Sequence, residues 1–342
     1  MKHVTIKDVA RQLGVSISSV SRAFNDKYDI KSETKARILQ VAKDLGYRPN
    51  PIAQKLSQRQ SLNIGMIVPE FINDFYARVI IGVQQVLIAK GYQVLVMQSD
   101  ENSELERNNI QTLIDNFVDG IIICPINEHD NSSLFKELLS KNIPLVFLGR
   151  ISAGFMGTKV IFDDYKWSLF ATEHLIRQGY RKIHHLSGAP DFSVSKKRMA
   201  GFLKAMDKHH YTTDQYRVIH TGLTPEAGEM AINQLVKSDD LPEAIFCIND
   251  PVALGAMKAL RMHGLQIPQD VAIVGCTETP MAALVYPPLT SITQPAIEMG
   301  TSAAELLLRQ IDHGFNPPQT ITFDGHLNVR DSSIQVTQDL RY

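Results

Sequence analysis

Residues 5–25 read TIKDVARQLGVSISSVSRAFN. Thr5 stands before Ile6, Val9, Ala10 and Leu13 at helical spacing, and Asp8 follows it by three residues, a variant of the capping box that starts a helix. Gly14 supplies a left-handed stop, Val15 packs in the turn, and Ser16 caps a second helix whose apolar side is Val20, Ala23 and Phe24. Two short helices across a tight turn make a helix-turn-helix. The outer face of the second helix then carries Ile17, Ser18, Ser19, Ser21 and Arg22, mostly small polar side chains that let its backbone enter a major groove closely. A third helix is expected over residues 32–45, capped by Ser32 and ended by Gly46, with part of Ala36, Ile38, Leu39, Val41, Ala42 and Leu45 closing a miniature core.

Charge points the same way. The 342 residues carry 35 Lys and Arg against 36 Asp and Glu, a net of -1. Residues 1–60 hold twelve of those bases and five of the acids, a net of +7, which leaves 23 bases and 31 acids, a net of -8, on the remainder. A small basic module on an acidic body commonly meets phosphate, although a solvated basic surface explains charge alone equally well.

Residues 46–61 continue as GYRPNPIAQKLSQRQS. Turn, third helix, the YRPN run and the segment after it resemble, in order and spacing, the DNA-binding headpiece and hinge of the LacI/GalR (lactose-repressor) family. The resemblance implies that Ile17, Ser18 and Arg22 read base edges while Thr5, Ser16, Ser19 and Ser21 lie near phosphates. Physical chemistry is compatible with each role: Arg22 can pair bidentately with guanine, Ile17 can touch a thymine methyl, and hydroxyls can bond phosphate oxygens. It further implies that Asn50, Ala53 and Leu56 belong to a hinge helix on DNA, Leu56 wedging between base pairs from the minor groove. A helix of barely two turns should form only when bound. The stripe of Ile52, Ala53 and Leu56 also suits packing between two hinge copies.

From Leu62 onward, apolar strand-like runs alternate with amphipathic helical stretches, the pattern of parallel-sheet architecture. Eleven runs are expected as strands, from LNIGMIV at 62–68 to QTITF at 319–323, too many for one open sheet. The expected fold is therefore an all-α helix-turn-helix headpiece plus an α/β core of two doubly wound parallel-sheet lobes, with ligand between the carboxyl ends of their strands. Runs such as VDGIIICP, KRMAGFLKAM and AIFCINDPVALGAMKALRMHGLQIPQDVAIVGC extend the resemblance over about residues 3–329 and imply a core similar to periplasmic sugar-binding proteins. Crossovers are expected near 162–164, 291–294 and 322–324. The corresponding divisions are a headpiece at 1–48, a hinge helix and linker at 49–61, a core at 62–329 and a C-terminal tail at 330–342. Within the core, lobe one takes about 62–162 and 293–322, and lobe two about 163–291 and 323–329.

For the small-molecule site, family position favours Arg198 and Asp250, a rigid fork of donors and an acceptor of hydroxyl protons that together suit a sugar or polyol. Arg198 is alternatively a surface helix charge, and Asp250 a cap for the helix beginning at Pro251. Asn73, Asp74 and Phe75 form the next expected wall, with Arg150, Asp164, Leu223 and Glu278 as further candidates. Asp163 and Asp164 could equally decorate the hinge. The chain departs from the family at Gly275-Cys276-Thr277-Glu278, where GFDD is common, and at Gly149-Arg150, so an effector does not carry over.

The remaining signals exclude other classes. There is no GxGxxG after the opening strand, no P-loop, HExxH or GxSxG, so an enzyme is not expected. Cys124, Cys247 and Cys276 are far apart and read as buried thiols, and His184 and His185, adjacent on a strand, face opposite ways and are poor co-ligands. No cofactor or metal is expected. The early Lys and Arg are interrupted by Asp8, Arg11 and Gln12 before any apolar stretch, unlike a secretory signal, so a nucleoid-associated cytoplasmic protein is expected rather than a sugar-binding transport protein. The expected partners are a near-palindromic DNA operator, a sugar-like effector and a second copy of the chain, because one helix-turn-helix reads one half-site. A protein corepressor in place of the small molecule remains the alternative.

Overall fold

Helices α1 (Ile6–Leu13), α2 (Ile17–Phe24) and α3 (Ser32–Asp44) build the N-terminal unit. The computed structural model describes residues 4–24, 30–47, 60–152, 154–314 and 317–335 of the chain. The Thr5 amide and hydroxyl both donate to Asp8 Oδ2, at 2.9 and 2.6 Å, and Gly14 takes φ 67° to end α1. Ser16 Oγ accepts from the Ser19 amide at 3.1 Å, starting α2. At α3 the expected cap is displaced by one residue. Lys31 occupies the cap position without a side-chain bond and Ser32 is the first helical residue. Val9, Ala10, Val20, Ala23, Ile38 and Ala42 close the small core.

The chain separates into two compact units, residues 1–62 and 63–342. The second holds two six-stranded sheets. One has the order β11-β5-β4-β3-β1-β2, from strands β1 (Asn63–Val68), β2 (Gln93–Gln98), β3 (Gly120–Ile123), β4 (Leu145–Leu148), β5 (Thr158–Phe162) and β11 (Thr320–Phe323). The other has the order β12-β10-β9-β8-β6-β7, from β6 (Ile183–Ser187), β7 (Tyr216–His220), β8 (Ala244–Cys247), β9 (Ala272–Cys276), β10 (Thr290–Thr293) and β12 (His326–Asn328). All pairings are parallel except β10 with β12. Central strands such as β3, β4 and β8 are buried at every residue, which is why they read as unbroken apolar runs, whereas edge strand β2 is only partly covered.

Helices α4 (Asp74–Ala89), α5 (Ser103–Asp115), α6 (Ser132–Ser140) and α12 (Ala296–His313) follow strands of lobe one or return to it. Helices α7 (Asp164–Arg177), α8 (Ser193–Lys208), α9 (Pro225–Lys237), α10 (Asp250–Met262) and the short α11 (Met281–Leu284) belong to lobe two. Helices α4 and α12 cross at backbone contact: a Cβ on Gly82 would stand 2.0 Å from the Ile297 carbonyl oxygen, and one on Gly300 2.2 Å from that of Val79. The chain passes between the sheets after β5, β10 and β11, so the two lobes are joined by three adjacent connections along one edge.

Two features differ from the expected pattern. Strand β12 is three residues long, too short for a periodicity to register. Residues 330–334, expected as tail, are threaded into lobe two: Ser332 and Ser333 are fully buried, Ser332 Oγ donates to Ile273 O at 2.6 Å, and Thr290 N donates back to Ser332 Oγ at 2.8 Å. The hinge positions Asn50, Ala53 and Leu56 lie outside the described residues.

Candidate DNA-reading face and interlobe cleft

In the headpiece, Val20 and Ala23 turn α2 inward, which leaves Ser16, Ile17, Ser18 and Arg22 exposed and Ser19 and Ser21 half-buried. Thr5 is exposed at the start of α1. Ser18 and Arg22 are four residues apart and share one helix face. Ile17, 46% exposed, is an apolar group left partly in water. Such a face offers one forked donor, several hydroxyls and a methyl contact, the set a major-groove reader requires.

A cavity of the core, about 530 Å³ with its solvent-open part, lies where the carboxyl ends of both sheets meet, the expected place for a ligand in open α/β sheets. Six of the nine expected site residues line it: Asn73, Phe75, Arg150, Asp164, Arg198 and Leu223. Arg198 and Asp164 form its charged wall. Arg198 Nε and Nη2 reach Asp164 Oδ1 at 2.8 and 2.7 Å, and Nη1 donates to Ile248 O. Both residues are buried, so Arg198 is not a surface helix charge. Arg150 donates to Glu101 Oε2 at 2.7 Å, and its guanidinium lies 4.9 Å from the ring centre of Phe192 in the opposite lobe. Asn73 caps α4 by accepting from the Phe75 amide at 3.0 Å and donates its own amide to Glu70 Oε2 at 2.8 Å.

Three expected residues stand elsewhere. Asp250 is fully buried behind the wall, Oδ1 accepting from Ser291 Oγ at 2.5 Å and Oδ2 from the Thr279 amide at 2.7 Å. Burial pushes its carboxyl up to about 6 against those stabilising bonds. It does not cap α10 either, because Asn249 Oδ1 does so by accepting from Val252 N at 2.9 Å. Asp74 is the first residue of α4 and does not reach the cavity wall. Glu278 is turned to Arg330, whose Nη1 lies 3.2 Å from Oε2 and whose Nη2 contacts Oε1.

Sequence reasoning passed over other lining residues, among them Tyr76, Asn249, Thr277 and Gln294. Asn249, Thr277 and Gln294 sit just beyond the carboxyl end of an apolar strand run, the one signal that could have found them, whereas Tyr76 lies in the first turn of α4. Thr277 is held at φ 104° and Glu278 at φ 50°, a strained pair beside the cavity, and Thr277 Oγ1 is buried without a partner. The Cys124 and Cys276 thiols are pushed by burial up to about 11 and about 12, which keeps them protonated and unreactive. Among the described residues no group of three or more His, Cys, Asp or Glu is placed to hold a metal, and no helix is long and apolar enough to cross a membrane.

A helix-turn-helix unit in one chain with a two-lobed, periplasmic-binding-protein-like core defines a DNA-binding transcription regulator. Comparison with known proteins gives its family. Residues 5–50 match the bacterial regulatory proteins of the lacI family, and residues 172–333 match the periplasmic binding protein-like domain. The HTH-type transcriptional repressor PurR of Actinobacillus pleuropneumoniae serotype 3 is 31% identical over 331 residues, 96% of this chain and 98% of that protein. The crystal structure of the lac repressor dimer bound to operator and the anti-inducer ONPF superposes with a TM-score of 0.84 at 25% identity, covering 98% of this chain and all of that one. The transcriptional regulator CelR in its cellobiose complex gives 0.73 at 27% identity over 96% of this chain and all of that one. The chain belongs to the lacI family and is a DNA-binding transcriptional repressor, not an enzyme.

Proposed function

We propose that this repressor, acting on near-palindromic operators as a homodimer in the cytoplasm, is controlled by a sugar-like small molecule held between its two core lobes, and that it governs genes of carbohydrate use. The observation that carries the reading is the cavity lined from both lobes by Asn73, Arg150, Asp164 and Arg198, with the unpartnered Thr277 hydroxyl beside them. A ligand touching both lobes binds one relative arrangement better than another, and a ligand shifts an equilibrium only by that difference. The resulting bias reaches DNA through residues 49–61. The six lining residues are assigned to the ligand, with Asp250 and Glu278 as groups behind its wall, and Ile17, Ser18 and Arg22 are assigned to base edges. Asn50, Ala53 and Leu56 are assigned to the minor groove.

The test is a thermal-shift screen of sugars, nucleosides and sugar phosphates, since binding to the native state raises stability by mass action. A hit is then titrated against operator binding. Coupling is reciprocal, so operator must change ligand affinity by the same factor that ligand changes operator affinity. A ligand that binds the core and leaves operator affinity untouched would sink the proposal and return control to a protein corepressor. Light scattering of the free protein checks the assembly, and a stable monomer at micromolar concentration would refute the dimer.

A further inference from the structure

The turn that follows β9 is strained and tightly held. Thr277 at φ 104° and Glu278 at φ 50° both stand in the left-handed region, a genuine outlier for a β-branched threonine. Strain of this kind persists only where the surroundings over-determine the backbone. Three successive amides are tied down: Thr277 N donates to Ile292 O at 2.9 Å, Glu278 N to Ser291 Oγ at 3.2 Å and Thr279 N to Asp250 Oδ2 at 2.7 Å. Strand β10 and the start of α10 thus grip the backbone of the turn.

The side chain of Glu278 is held separately, by the C-terminal segment. Arg330 turns its fork to the carboxylate, Nη1 at 3.2 Å from Oε2 and Nη2 in contact with Oε1, and Nη1 also donates to Leu289 O at 2.7 Å. The Arg330 and Glu278 side chains are only 21% and 15% exposed, so this two-pronged pair is less screened by water than a surface ion pair. Arg330 is itself stitched to the sheet. Its amide donates to Thr290 Oγ1 at 2.7 Å, that hydroxyl donates to Arg330 O at 2.8 Å, and Ile273 N donates to Ser332 O at 2.8 Å. At the other end of this chain of contacts, Thr277 lines the cavity, and its buried hydroxyl has no partner among the described residues. A buried polar atom without a partner calls for a reason, and in a cavity wall a ligand supplies one.

Resting on the small-molecule reading above, we propose that Arg330 is a positioning residue for ligand recognition: it clamps Glu278, and so fixes the strained turn that carries the Thr277 hydroxyl. Neither Arg330 nor Glu278 lines the cavity, so the effect on ligand passes through the turn. Groups that meet a ligand bind well only when their supporting contacts lock them, and a misplacement of about 1 Å is enough to spoil a site. The C-terminal segment is thereby part of recognition without touching the ligand. An ion pair that merely stabilised lobe two would respond differently to substitution.

The test compares Arg330→Gln with Ser333→Ala in the full-length protein. Ser333→Ala removes the contacts of Ser333 Oγ with His174 Nε2 and Thr290 Oγ1 from the same segment and leaves Arg330 and Glu278 in place. By hydrogen exchange and mass spectrometry, residues 277–279 should exchange at least about tenfold faster in Arg330→Gln, with β9 and β10 unchanged, because local opening is distinct from global unfolding. Titration calorimetry with glucose, galactose, ribose, adenosine, guanine and glucose 6-phosphate reads affinity. The compound that binds the wild type should bind Arg330→Gln at least about tenfold more weakly, whereas Ser333→Ala should lower Tm and keep affinity within about twofold. Arg330→Lys keeps the charge without the fork and should restore only part of the loss. The double variant Arg330→Gln/Glu278→Gln removes the stranded carboxylate and should regain Tm without regaining affinity. Unchanged exchange in the turn, or wild-type affinity in Arg330→Gln, overturns the positioning role and leaves the small-molecule reading standing. No heat from the wild type with any of these compounds overturns the small-molecule reading and this inference with it.

Discussion

Acid should loosen lobe two before it affects most of the molecule. His174 contacts Ser333 Oγ at 2.8 Å beside Arg177, and His185 donates Nδ1–H to Phe246 O at 2.9 Å while stacked between the Phe202 and Phe246 rings. Burial pushes both imidazoles down from 6.5 to about 4. The unfolded chain therefore binds the extra protons first, and stability falls as pH drops below 6.5 until the folded groups titrate near 4. Between pH 7.5 and 5.0 each histidine should cost about 2 kcal/mol. Asp250 works in the opposite sense. Its raised value near 6 means the folded state takes up a proton first, which returns about 1 kcal/mol over the same interval. Carboxylates held low by cations, Glu173 and Asp240, enter only at lower pH. The net expectation is a loss of about 3 kcal/mol, read as a fall of order 1 M in the urea midpoint by fluorescence or circular dichroism. His185→Phe should remove about half of the histidine contribution. A midpoint that holds or rises at pH 5.0, or an undiminished fall in His185→Phe, would refute the assignment of these buried neutral histidines.

Arg22→Ala should lower specific operator affinity by about 1–3 kcal/mol and relax preference at one base position; a selected binding-site pattern identical to the wild type's would remove Arg22 from base reading. Arg198→Ala leaves Asp164 buried without its cation and should cost about 3–5 kcal/mol of core stability by calorimetry. The sequence alone predicts a folded, merely unresponsive variant, so a wild-type melting profile would show the pair to be less important than its burial indicates. Gly300→Ala forces a Cβ to 2.2 Å from the Val79 carbonyl oxygen and should destabilise lobe one by about 1–3 kcal/mol through separation of α4 and α12; an unchanged melting temperature would contradict backbone contact there.

The headpiece was legible because its signals are short-range. Thr5 with Asp8, Gly14 in the left-handed region and the pairs Val9 with Ala10, Val20 with Ala23 and Ile38 with Ala42 act within a few residues of one another, and periodicity records them directly. Alternation of apolar runs with amphipathic stretches likewise disclosed the two-lobed α/β core, since strands buried on both faces must be apolar throughout. Only the tertiary structure decided which side chains share a partner. Arg198 meets Asp164 across 34 residues, Asp250 meets Ser291 across 41, and Arg150 meets Glu101 across 49. The same residue types at the same positions would read alike whether they faced ligand, protein or water. Asp250, expected at the ligand, bonds Ser291 and Thr279 behind the cavity wall, and Ser332 and Ser333 of the expected tail are buried against lobe two. A chain pattern encodes how each segment meets solvent; where two segments cross, and so which polar groups satisfy one another, is set by the packing of the whole.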